Sequence, residues 1–152
     1  MRRVTVLACG EAMRGDDAVG LMAVAALAPE VAALAEIREV GQLSPDELLD
    51  APEPVIVVDA VSGPPAGELI ELPLAELAER GLGGTSMSSH ALPLATAVAL
   101  SVRLRGRAPE GRFIGLAGAH YGLDNHLSEP VRGGLSAFIA AIESAIRELA
   151  QD

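Results

Sequence analysis

Asp17, Asp59 and His90 are the residues of this chain whose types can together hold a divalent metal. Two carboxylates and one imidazole form a mixed oxygen and nitrogen donor set, which suits a borderline ion such as Ni²⁺ or Zn²⁺. Three protein ligands leave positions open for water or for donors from another protein. Each residue also has a plainer explanation. An Asp after a strand is a frequent turn or cap residue, so Asp59 has that reading too. Asp16 and Asp17 stand where a helix starts, and acids there are favoured by capping and by the helix dipole. One of the two is explained that way. Two adjacent carboxylates repel, so the second asks for a cation or a donor; Asp16 is expected to be the cap and Asp17 the functional group. His90 reads as the start of a helix, where the dipole disfavours imidazolium and keeps the ring in the neutral form that binds metal. Its plainer reading is a surface or capping histidine. His120 and His126 read as solvated or substrate-edge residues, and Cys9 as a buried strand residue.

These groups must be brought together by the elements between them. Val4 to Cys9 is an apolar run stopped by Gly10, the pattern of a buried strand and turn. Residues 17 to 28 have helical spacing through Val19, Met22, Ala23 and Ala26. Glu36 to Val40 reads as a second strand. Ser44-Pro45-Asp46-Glu47 has Ser, Pro and Glu at the cap, first and third positions of a helix, which should end before Pro52. Val55-Ile56-Val57-Val58 is wholly apolar, as a strand covered on both faces is, and is expected to end at Asp59. Ser62 to Gly67 is a turn, and Glu68 to Leu72 alternates like an edge strand. Gly81 to Ser86 reads as a flexible loop, followed by a helix from about His90 to Leu104 capped by Ser88 or Ser89. Arg112 to Ala117 is a fifth strand. Ser128-Glu129-Pro130 opens a last helix with Val131, Leu135, Phe138, Ile142, Ile146 and Leu149 on one face. Alternating strands and helices predict an α/β fold, a three-layer sandwich with a twisted, mostly parallel five-stranded sheet, in one domain over residues 1–152. In such sheets ligands bind beyond the carboxyl ends of the strands, which is where Asp17, Asp59 and His90 fall.

Composition narrows the partners. All eleven basic residues are Arg and the net charge is −10, so a phosphate backbone is repelled and a basic protein segment is the better match. With no Trp, one Tyr and two Phe there is no stacking platform for nucleic-acid bases. No apolar run approaches the ~20 residues of a membrane span. A single cysteine excludes an internal disulfide and agrees with a cytoplasmic setting. Gly10 to Gly15 has Walker-like spacing, but Asp16 and Asp17 replace the Lys and Ser/Thr that would hold phosphate. No Gly-x-Ser-x-Gly nucleophile elbow is present.

The ordered motifs resemble those of the hydrogenase maturation proteases, endopeptidases that trim the large subunit of nickel-iron hydrogenases. The family's Gly-x-Gly-Asn, short loop and Asp-Asp/Glu-Gly-x-Gly stand here as Ala8-Cys9-Gly10-Glu11-Ala12-Met13-Arg14-Gly15-Asp16-Asp17-Ala18-Val19-Gly20. Val57-Val58-Asp59-Ala60 with Gly67-Glu68, Ser88-Ser89-His90-Ala91-Leu92-Pro93-Leu94, and Leu127-Ser128-Glu129-Pro130-Val131 are similar too. The likeness covers nearly the whole chain. It implies an endopeptidase that removes a C-terminal extension from a nickel-loaded large-subunit precursor. It implies Asp17, Asp59 and His90 as the catalytic, metal-contacting residues. The nickel would be supplied by the substrate rather than held permanently. The sequence departs from the pattern at Glu11 for Asn, Ala8 for Gly and Ala18 for Gly. Glu11 brings a negative charge to the same cleft, where it is either an extra ligand or a disturbance of docking. Two other readings remain open: a metal-centre-sensing binding module that has lost cleavage, and a small-molecule hydrolase on a similar scaffold. The sequence leaves the oligomeric state open.

Overall fold

In the computed structural model, which describes residues 1–80, 91–124 and 126–151, the apolar run Val4–Cys9 is strand β1, buried at every position. Ala35–Gly41 forms β2 and Val55–Val61 forms β3, paired in parallel on either side of β1. Leu69–Pro73 forms β4 and Gly111–Ala117 forms β5; β5 lies parallel to β3, and β4 closes the edge antiparallel to β5. The order is therefore β2-β1-β3-β5-β4, a mostly parallel five-stranded sheet flanked by helices. This is the α/β architecture the sequence predicts.

Alternation along the strands divides the core in two. Val4, Val6, Ala8, Ile56, Val58, Ile114 and Leu116 face one side. There they meet α1 (Val19–Ala25), α2 (Pro29–Ala32) and α6 (Glu129–Ala150). Leu7, Cys9, Val55, Val57, Val61, Phe113 and Ala117 face the other. That side is covered by α3 (Pro45–Asp50), α4 (Leu74–Arg80) and α5 (Ala91–Arg105). The stripe on α6 buries Val131, Phe138, Ile142, Ile146 and Leu149, with Leu135 half-buried beside them. Ser44 caps α3 with a full capping box: its hydroxyl accepts from the Glu47 N–H, and the Glu47 carboxylate accepts from the Ser44 N–H at 2.9 Å.

Several expectations are corrected. Residues 15–18 form a short 3₁₀ turn before α1. The buried stripe is Val19, Ala23, Val24 and Leu27, which pack in the core with the sheet and α6, while Met22 and Ala26 face solvent. β3 runs past Asp59 to Val61, because its pairing with β5 continues through Asp59 opposite Gly115 to Val61 opposite Ala117. No expectation covered α4. The loop expected at 81–86 and the helix start at 88–90, His90 included, lie outside the described residues.

The strand order creates a switch point. From β1 the chain moves to β2 on one side, then crosses to β3 on the other. The connections leaving β1 and β3 diverge, so a crevice opens beyond their carboxyl ends.

Candidate functional site

The crevice at the switch point is a cavity of about 210 Å³. It is lined by Gly10, Glu11, Arg14 and Asp17 after β1, by Gly41, Gln42 and Leu43 at and after the end of β2, and by Asp59 of β3. The structure thus brings together two of the three residues singled out from sequence. His90 falls outside the described residues, and among those described no three His, Cys, Asp or Glu side chains form a metal-binding group.

Asp17 is held by the turn that follows β1. Gly10 has φ of +124°, and a Cβ there would lie 2.0 Å from the Asp17 carbonyl oxygen, so only glycine lets the two backbones meet. The Glu11 N–H donates to Asp17 Oδ2 at 3.0 Å. The other carboxylate oxygen, Oδ1, is buried and accepts no hydrogen bond among the described residues. A buried carboxylate oxygen without a partner is costly, and a cation or a donor arriving in the cavity would satisfy it.

Asp59 lies on the strand face shared with Val57 and Val61, so its side chain enters the cavity from an apolar wall. Burial pushes its pKa up to about 8; the Ala60 N–H, donating to Oδ1 at 2.7 Å, works against that rise, and the charge of Asp17 adds to it. Asp59 therefore carries a proton for much of the time near neutrality.

Asp16 does not cap its own helix as the sequence suggests. It is fully buried, and its carboxylate accepts from the Ala119 N–H and the His120 N–H at 2.8 Å each, from the Ser128 N–H at 2.7 Å and from the Ser128 hydroxyl at 2.8 Å. Burial alone would raise its pKa, but these bonds outweigh burial and hold it below the usual carboxylate value. The sequence offered no signal for this, because the partners lie more than a hundred residues away. Asp16 ties the cavity turn to the 118–128 loop and to the start of α6.

Cys9 is buried, and burial first, then the charges of Asp59, Glu47 and Asp17, push its thiol well above the usual range, so it is inert as a nucleophile. His120 lies outside the described cavity lining and pairs through Nε2 with Asp124 at 2.8 Å. That partner first of all raises the histidine's pKa. His126 is exposed. Reasoning from sequence missed Gly41, Gln42 and Leu43, whose signal was their place directly after the second expected strand. It also missed Tyr121, whose hydroxyl donates to the Val61 carbonyl at 3.1 Å and anchors the 118–128 loop to the end of β3.

No protein-family model matches the chain, and no curated protein does. Solved structures do. The [NiFe] hydrogenase maturation protease HybD from Thermococcus kodakarensis is 25% identical, with a TM-score of 0.73 over 93% of this chain and 97% of its own. The hydrogenase maturating endopeptidase HybD from E. coli is 24% identical, with a TM-score of 0.75 over 96% of this chain and 93% of its own. The maturation protease HycI from Thermococcus kodakarensis KOD1 is 22% identical, with a TM-score of 0.67 over 95% and 92%. The fold is that of the hydrogenase maturation proteases, as the sequence resemblance implies. Among the described residues no helix is long and apolar enough to cross a membrane.

Proposed function

We propose that the chain is an endopeptidase that removes a C-terminal extension from the nickel-loaded large subunit of a nickel-iron hydrogenase, working in the cytoplasm. One observation carries the reading: Asp17 and Asp59 line one cavity at the switch point, one with a buried oxygen that has no partner among the described residues and the other with a pKa raised to about 8. Such a pair is a poor resting structure and a good receptor for a cation. The cation is nickel already seated in the precursor, so it arrives with the substrate and leaves with the product. Asp17 Oδ1 and the Asp59 carboxylate bind it, Asp59 giving up its proton to solvent as it does so, and His90 supplies the third donor. A precursor without metal lacks the anchor and is not positioned, which makes cleavage conditional on metal loading.

Once anchored, the scissile peptide is fixed against the cavity rim. The metal polarises the peptide carbonyl or the attacking water. Asp17 or Glu11, both lining the cavity, takes the proton from that water as its oxygen attacks the carbonyl carbon, and returns it to the amide nitrogen as the C–N bond breaks, leaving a carboxylate and a free amine. The test is tail removal from a nickel-loaded precursor by Asp17→Asn, Asp59→Asn and His90→Ala variants. A loss of about a hundredfold or more in each is expected for removal of a charged group acting at the reacting centre. Undiminished rates in all three overturn the reading.

Glu11 favours a second reading. It lines the cavity where the resembling family has Asn, and its carboxylate adds charge at the rim. In a metal-centre-sensing module that binds and never cuts, Glu11→Asn restores cleavage, whereas in an active peptidase it does not create it.

A further inference from the structure

We propose that the paired loops 10–16 and 118–124 form the surface on which the protein substrate docks, with Met13 and Leu123 as its apolar anchors. This rests on the endopeptidase reading and adds to it where the substrate lies. The two loops are joined backbone to backbone. The Gly15 N–H donates to the Asp124 carbonyl at 3.0 Å and the Asp16 N–H to the His120 carbonyl at 2.6 Å. The Asp16 carboxylate takes the Ala119 and His120 N–H groups. A Cβ on Gly15 would lie 2.5 Å from the His120 carbonyl oxygen, so the close approach needs a residue without a side chain. The pair is thus built as one piece, and an exposed group on it is held in place before a partner arrives.

On that rigid piece stand two large apolar side chains, Met13 at 59% exposure and Leu123 at 87%. Met13 sits in sequence between Glu11 and Arg14, both of which line the cavity, so the loop that carries it borders the cavity. Loop 10–16 is continuous with the cavity, and on the endopeptidase reading this makes the occupant the substrate segment next to its metal centre. Charge points the same way. A second copy would add another −10 to a chain already at −10, whereas a segment carrying apolar residues beside basic ones suits that net charge, Met13, Leu123 and the carboxylate of Glu11; Arg14, which also lines the cavity, places one positive charge beside them. Methionine, flexible and polarisable, suits such an interface.

The experiment is steady-state cleavage of the nickel-loaded large-subunit precursor of the host's own nickel-iron hydrogenase by a Met13→Ser, Leu123→Ser double variant. Both residues are exposed, so the variant folds as the parent does, which its circular dichroism and melting curve check. The expected result is a kcat/KM lower by about tenfold or more, because two serines bury far less apolar surface against the substrate, with kcat at saturating precursor unchanged. A kcat/KM within about twofold of the parent overturns the proposal. So does sedimentation showing a dimer of the parent that the double variant dissolves, since the patch then joins two copies of this chain. Asp17→Asn run beside it separates the two claims: if that variant cleaves at the parent rate, the peptidase reading fails, and if it is dead while the double variant is normal, only the docking surface fails.

Discussion

At the scale of single residues, the two acids of the cavity differ in what holds them. Asp17 is placed by backbone, through Gly10 and the Glu11 N–H, while Asp59 is placed by an apolar strand face. Asp59 gives a pH test that needs no substrate. Its folded pKa of about 8 lies above the ordinary carboxylate value of 3.8, so the native state binds its proton more tightly than the unfolded chain does. The stability contributed is full below the unfolded value and is lost as pH rises toward the folded one. Asp59→Asn keeps a neutral side chain at every pH. Urea unfolding of the variant and the parent should therefore show the difference shifting in the variant's favour between about pH 5 and about pH 9. The same difference at both pH values would contradict the raised pKa. The sequence marked Asp17 and Asp59 through their residue types and their positions after apolar runs. Asp16 was hidden from it, because its role depends on partners brought together only by the fold.

At the scale of elements, local chemistry was readable and phase was not. The capping box at Ser44 was written in four consecutive residues, and α3 forms with both of its hydrogen bonds. Ser44→Ala should cost about 1 kcal/mol, seen as a lower urea midpoint with cleavage unchanged at temperatures where the protein stays folded. α1 shows the opposite case. Its spacing announced a helix, but which side is buried is set by packing against the sheet and α6, whose residues lie far away in sequence. The end of β3 failed for a related reason. An Asp inside a strand looks like a stop signal, yet the ladder to β5 continues opposite Gly115. A polar residue can occupy a central strand when the cavity beside it, rather than solvent, receives the side chain.

At the scale of the molecule, the mostly parallel sheet was legible from the alternation of apolar runs and helical stretches, and the strand order was not, since sequence does not say on which side of β1 the third strand docks. That order is what makes the cavity, because it sends the connections from β1 and β3 apart. The sheet is held to α6 through Phe138, which is fully buried in the larger core. Phe138→Ala should cost about 3–5 kcal/mol by opening a void that the neighbouring helices cannot close, measured as a fall in the urea midpoint. A loss below about 1 kcal/mol would mean that α6 packs on the sheet less tightly than the structure shows.

The bonds that Asp16 accepts from Ser128 have a consequence for how the protein comes into being. Residues on either side of that link are separated by 112 positions, so a nascent chain emerging from the ribosome carries Asp17 long before the partner that steadies its turn. The turn that carries Asp17 takes its final form only after residue 128 has been synthesised and has folded back. On the proposed reading, a growing polypeptide that has not yet reached residue 128 is consequently an idle one.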